Sequence, residues 1–264
     1  MSLLPKEHGA YGQMTFPLLT AMVVSGVSVG SLFFVLSVIA GFVLHEPLLV
    51  VLGLRGPRAR REQGRVAIWW VVALTLVLVL AGAVALRWMG PSTRIWIALP
   101  LVPAVYIFIA AISGKGKTVA AEIAVAIAFS LTAVPLCLLG GPSLVAGILI
   151  ALAFATNFVL ATLAVRVVIA KVRGGGDPRL VAAMRRAVYI VALAIAIGAA
   201  LAASRGRIPW LPLASLIPGI ATACWVAANP PPPTRLKAVG WTLVSVSTIV
   251  MLLLVITLRV GWSV

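Results

Sequence analysis

The sequence predicts an all-α fold: a polytopic bundle of about nine transmembrane helices, forming a single domain over residues 1–264. Three observations carry that prediction. Hydrophobic residues make up 62% of the chain and charged residues 10%, where a soluble domain carries about 45–50% and about 25%. Mean hydropathy is +1.18. A chain of this make-up cannot solvate its own surface, which excludes a soluble globular protein. The charges are also one-sided: 21 Lys and Arg stand against five acids, Glu7, Glu46, Glu62, Glu122 and Asp177. A pI near 11.7 would suggest nucleic acid in a soluble protein. Here the basic residues lie between apolar runs, the pattern membrane insertion leaves, so no nucleic acid partner is expected.

A spanning helix needs roughly 20 mainly apolar residues to cross about 30 Å of hydrocarbon. Nine stretches answer to this: 13–28, 30–52, 66–88, 94–113, 118–139, 143–165, 187–204, 208–228 and 238–259. The first is the least regular, because Gly26 and Gly30 stand where it must turn into the second. Gly90-Pro91, Gly140-Gly141-Pro142 and the run Pro230 to Pro233 punctuate the others. Gly26-x-x-x-Gly30 also has the spacing of a helix-contact motif. No small-residue cleavage site follows a short apolar core, so no cleavable signal peptide is expected. The basic segments 53–65 and 166–186 have the length of short amphipathic helices at the membrane surface.

Orientation follows from counting basic residues. With a cytoplasmic N-terminus, the inner segments hold 16 Lys and Arg and the outer ones five: Arg87, Arg94, Arg205, Arg207 and Arg259. The split predicts a multi-pass protein of a bacterial inner membrane with its N-terminus inside. Cys137 and Cys224 then fall near opposite faces, too far apart for a disulfide, whose Cα atoms lie within about 7 Å.

Ionisable groups at membrane depth are costly and mark candidate sites. Four groups stand out: Lys6-Glu7-His8 before the first span, His45-Glu46-Pro47 closing the second, Glu122 opening the fifth, and Asn157 with Arg166 on the sixth. All but Asn157 fall toward the cytoplasmic face, so Lys6, Glu7, His8, His45, Glu46, Glu122, Asn157 and Arg166 are the candidate ligand-binding residues. Each has a plainer reading. Lys6 to His8 also fits an interfacial anchor, His45-Glu46 a solvated helix end, and Glu122 with Arg166 a structural ion pair. Arg55, Arg58, Arg60, Arg61 and Arg65 read first as an orientation signal that binds anionic head groups.

Other motifs lead nowhere. Gly116-Lys117-Thr118 has the end of a P-loop, but position 111 is Ala where the leading glycine belongs. The histidines and cysteines are separated in depth, so no metal site is expected. The only Asp lies in the loop Gly174-Gly175-Gly176-Asp177, which leaves no Ser-His-Asp arrangement.

The run Pro5-Lys6-Glu7-His8-Gly9-Ala10 resembles the signature of the YwiC-like family of bacterial integral membrane proteins. The chain is similar to that family elsewhere too: His45-Glu46-Pro47 followed by arginines, Glu122, and the stretch Arg166 to Arg173. The family name implies a group rather than a reaction. Nine spans with long cytoplasmic segments after the second and sixth also resemble the UbiA superfamily of prenyltransferases. There, Asp-rich motifs in those segments hold Mg²⁺ against a prenyl diphosphate. Here the same places carry His45, Glu46 and arginines, then Arg166, Lys171, Arg173 and one Asp177. Mg²⁺ takes oxygen ligands from several carboxylates, so Mg²⁺ is not expected; basic residues would meet a diphosphate directly.

The leading functional expectation is a UbiA-like bundle that binds an isoprenoid or other amphiphilic membrane lipid in a cavity of the cytoplasmic leaflet, as an enzyme or as a binding protein. No cofactor is required for that. The competing expectations are an accessory subunit of a membrane electron-transfer complex, with quinone or haem near the histidines, and a transporter. Transport is disfavoured because the halves show no sequence symmetry and no paired broken helices are expected.

Overall fold

A computed structural model describes residues 3–5, 8–141, 143–173, 178–206, 208–232 and 235–260. They form a helical bundle with no strand among the described residues. The helices are α1 (His8–Ser25), α2 (Val29–Val51), α3 (Pro57–Trp88), α4 (Ala98–Ile112), α5 (Val119–Leu131), α6 (Ala133–Gly140), α7 (Leu144–Arg173), α8 (Pro178–Ser204), α9 (Trp210–Leu213), α10 (Leu216–Ala228) and α11 (Leu236–Val260). A 3-10 turn, Arg94–Ile97, leads into α4.

Eight of the nine predicted spans are helical stretches long and apolar enough to cross a membrane. The protein is a multi-pass membrane protein. The first predicted span is the exception. It starts earlier than expected, and its 18 residues include Tyr11, Gln13, Thr15 and Thr20. Position explains this composition: α1 is packed against α5, α6, α7 and α11. Thr20 is fully buried and donates its hydroxyl to the Phe16 carbonyl at 2.7 Å. Such a helix need not be apolar all round.

Two spans are broken, contrary to the expectation of unbroken ones. Pro135 has no N–H and its ring crowds the carbonyl four residues back, so the fifth span parts at Thr132 into α5 and α6. Pro218 does the same to the eighth, which parts at Ala214-Ser215 into α9 and α10. At each break a buried hydroxyl bonds back to the chain: Thr132 Oγ1 donates to the Phe129 carbonyl and Ser215 Oγ to that of Pro212, both at 2.6 Å.

The basic segments are not separate surface helices either. Arg58 to Arg65 form the first turns of α3, while Arg166 and Arg179 belong to α7 and α8 themselves. At 32 residues α3 is about 48 Å long, more than the hydrocarbon requires, so its basic start projects beyond it.

Small residues let the helices meet closely. Gly26 is not part of a helical stripe; it turns the chain between α1 and α2 at φ +89°. Gly30, Ser37 and Gly41 of α2 lie against α3. A Cβ on Gly30 would lie 2.7 Å from Trp88 Cβ. Ser37 Oγ donates to the Leu78 carbonyl at 3.0 Å. Ser28 caps α2 in a reciprocal capping box with Ser31, and its hydroxyl also donates to the Leu139 carbonyl at 2.8 Å.

These contacts establish which loops share an end. One end gathers the turns around Gly26, Met89 and Gly141. The other gathers the residues before α1, the turn 52–56, the turn 113–118 and the start of the proline run at 230. There Lys171 Nζ donates to the Pro230 carbonyl at 3.1 Å. This second end carries most of the basic residues and is called the basic end below. Cys137 and Cys224 lie toward opposite ends and are both free. Helices α3, α4 and α8 expose long apolar faces, including Trp69, Val102 and Ile190. The core sits on α6 and α7, around Phe154, Leu136 and Ile150.

Candidate functional site at the basic end

Two ring contacts establish how the polar residues come to share one end. Tyr11 of α1 meets Phe42 of α2 edge-on, with centroids 4.9 Å apart. Phe42 meets Phe129 of α5 at 5.6 Å, again edge to face. Helices α1, α2 and α5 are thereby joined in one apolar layer. Tyr11 also donates its hydroxyl to the Pro5 carbonyl at 3.0 Å, which ties the segment before α1 to that layer. His8 stands three residues before Tyr11, and His45 and Glu46 follow Phe42 by three and four. Glu122 precedes Phe129 by seven residues, about 10 Å along a helix. The helices thus carry these positions to the basic end together.

Two ion pairs there are separate. Glu46 is buried and paired with Arg55, whose side chain returns to α2 from the turn 52–56. A carboxylate in that position is tolerable only with such a partner. Glu122 of α5 is paired with Arg166 of α7. Arg166 Nε donates to Oε2 at 2.9 Å and Nη2 to Oε1 at 2.5 Å. Nη2 also donates to the Lys117 carbonyl at 3.1 Å. Thr118 caps α5 by accepting from the Ala121 amide at 3.3 Å, and Glu122 sits in the first turn, where the helix dipole favours an acid. The Gly116-Lys117-Thr118 run therefore builds a cap and an arginine seat.

The remaining predicted residues are placed as follows. Lys6 and Glu7 lie outside the described residues. His8 opens α1, and its side chain is likewise outside them. His45 is exposed. Asn157 lies apart from this layer. It is buried in the middle of α7, where Nδ2 donates to Ser247 Oγ of α11 at 2.9 Å. Against its other side lies Gly219 of α10, where an added Cβ would be 2.9 Å from Asn157 Oδ1. The contacts Asn157 makes are thus those of helix packing, with α10 on one side and α11 on the other.

The arginines between positions 55 and 65 fall into two sets. Arg55 is held by Glu46, and Arg58 Nε donates to Glu62 Oε1 at 2.7 Å on the solvent side. Arg60, Arg61 and Arg65 are exposed and make no ion pair with a described residue. Arg60 and Arg61 line a shallow hollow together with Gly53 and Pro57. Gly53, at φ +76°, lets the chain double back and leaves Arg60 room to lie over it; a Cβ there would be 3.7 Å from Arg60 Nη1. Gly53 and Pro57 are contributors that the sequence reading missed. The signal was present in Gly53-Leu54-Arg55-Gly56-Pro57, a turn-forming run between two spans. Among the described residues no group of three or more His, Cys, Asp or Glu is arranged to hold a metal ion.

No curated protein and no solved structure matches the chain. The description YwiC-like protein matches residues 4–137. That stretch runs from the segment before α1 to Cys137 in α6; it includes the Lys6-Glu7-His8 run, the Glu46–Arg55 pair, the arginine hollow and Glu122, and leaves Arg166 to Arg173 beyond it. With just over half of its length matched, and with the matched half supplying the arginine-lined end of the bundle, the chain belongs to the YwiC-like family.

Proposed function

We propose that the protein binds an amphiphilic lipid with an anionic head group, the isoprenoid phosphates being the class that fits, at the basic end of the bundle, and that this end faces the cytoplasmic leaflet of a bacterial inner membrane. One observation carries the reading. Arg60 and Arg61 face a hollow with their charges unneutralised by any described acid. They do so at the foot of an apolar helix face that is open to lipid, with Val66, Ile68 and Trp69 exposed one to three turns further along α3.

The chemistry is that of head and tail. Guanidinium groups form paired, charge-assisted hydrogen bonds to phosphate oxygens. An acyl or prenyl chain attached to that phosphate would continue along α3 into the hydrocarbon, with no need for an internal tunnel. The start of α3 has no acid in its first turn, so the positive end of its dipole adds to the arginines' attraction for an anion.

Binding is tested with the full-length protein in neutral detergent, titrated with geranyl diphosphate and, separately, with inorganic diphosphate; nanodiscs with and without phosphatidylglycerol form a third arm. The amphiphilic diphosphate should bind more tightly than the free ion. Arg60→Gln with Arg61→Gln should weaken it about fivefold per arginine removed. Equal binding by the double variant would overturn the reading. Dependence on phosphatidylglycerol alone would assign the arginines to bulk lipid rather than to a ligand.

A further inference from the structure

We infer that Glu46 sets the charge of this head-group site by withholding Arg55 from it, an inference that rests on the reading just given. The observation is the pairing of acids with arginines at the basic end. Each of the three described acids takes one arginine: Glu46 takes Arg55, Glu62 takes Arg58 and Glu122 takes Arg166. Two of these assignments fall on the segment that forms the hollow.

The two are physically unequal. Arg58 and Glu62 lie one helical turn apart on the surface, with side chains 88% and 51% exposed. A pair of that kind is worth little and opens readily. Glu46 is 8% exposed at its side chain and draws Arg55 back from the turn against α2. Opening that pair strands a carboxylate in a buried place, so the pair stays closed. Arg55 is two residues from Gly53 and two from Pro57, both of which line the hollow. Its Cα is therefore no more than about 7.6 Å from each, a distance comparable to the length of an extended arginine side chain. The pair with Glu46 thus holds the Arg55 guanidinium away from the hollow that Arg60 and Arg61 line.

Glu46 is thus a specificity-determining residue rather than a contact to the ligand. With Arg55 engaged, the hollow presents two guanidiniums, a set matched to a single phosphate group. With Arg55 released it presents three, a set matched to the larger charge of a diphosphate.

The test uses the full chain in neutral detergent with geranyl diphosphate as probe. Glu46→Gln should bind it about fivefold more tightly than the unaltered protein. The slope of log affinity against log salt should steepen. Adding Arg55→Gln to Glu46→Gln should abolish the gain. Unchanged or weaker binding by a folded Glu46→Gln protein would overturn the inference. Loss of all probe binding to the unaltered protein, or insensitivity to Arg60→Gln with Arg61→Gln, would instead overturn the site itself. A second measurement needs no variant. Phenylglyoxal labelling of the unaltered protein, read by peptide mass spectrometry, should show the probe protecting Arg60 and Arg61 but leaving Arg55 labelling unchanged. Protection of Arg55 in the unaltered protein would show that it already serves the site.

Discussion

Arg166 grips Glu122 with both prongs of its guanidinium, Nε at 2.9 Å and Nη2 at 2.5 Å, across 44 residues of sequence. Arg166 also reaches the Lys117 carbonyl, so one side chain fixes both the acid and the turn that caps its helix. A lysine offers a single rotatable ammonium and cannot reproduce that geometry. Arg166→Lys should therefore destabilise the fold by only about 1 kcal/mol, since the pair is partly exposed and its charges are screened, and lower the thermal midpoint accordingly. Differential scanning fluorimetry in detergent checks this. A midpoint unchanged by Arg166→Lys but lowered by Arg166→Ala would mean that the stem, not the fork, carries the contact.

Deep in the bundle, Asn157 and Ser247 join α7 to α11 where no water competes. Ser247→Ala leaves the Asn157 amide without its partner and should cost about 0.6–2 kcal/mol. Asn157→Ala should cost a similar amount, and the double variant less than the sum, because both remove one hydrogen bond. Strict additivity in a thermal double-mutant cycle would refute the coupling.

Gly219→Ala tests the same crossing by overfilling it. The new Cβ would meet Asn157 Oδ1 at 2.9 Å and the Asn157 Cα at 3.1 Å. The second contact is backbone, so the helices themselves must separate, at about 1–3 kcal/mol. Gly198→Ala, where a Cβ meets nothing within 4 Å, is the control and should be neutral or slightly stabilising.

Orientation is tested by accessibility. Ser113 is exposed at the basic end, and Ser92 and Ser204 are exposed at the other. In a chain with Cys137 and Cys224 replaced by Ala, Ser113→Cys should react with a membrane-impermeant maleimide only from the cytoplasmic side. Ser92→Cys and Ser204→Cys should react only from outside. The reverse pattern would invert the assignment of leaflets.

The sequence made the bundle legible because length and apolarity suffice to identify a lipid-facing helix. Eight spans emerged on that basis, and the contrast of basic and neutral turns separated the two ends. What it obscured has common physical causes. α1 lies among other helices, so the pressure to be apolar is relaxed and its boundaries blur. Pro135 and Pro218 were visible, but whether a proline bends or divides a helix depends on what packs beside it. Glu122 with Arg166 was among the readings left open, and the fork decides for a pair. Asn157 is ambiguous in the sequence because a lone amide in an apolar run has the same appearance whether it meets a ligand or a serine on a distant helix. Arg55 was grouped with its neighbours because nothing in local spacing tells that its partner lies nine residues back in α2.

The seating of α1 bears on how the protein is made. It is synthesised before the helices that wall the groove receiving it, α5, α6, α7 and α11. Its own apolarity falls short of the other spans, which favours late burial over early, independent insertion. During synthesis the hairpin of α2 and α3 can enter the bilayer on its own merits, while α1 waits for a berth completed only once α11 emerges. Truncation ahead of α11 would then leave α1 without one wall, and quality-control proteases would find their first foothold at α1 rather than at the cut end.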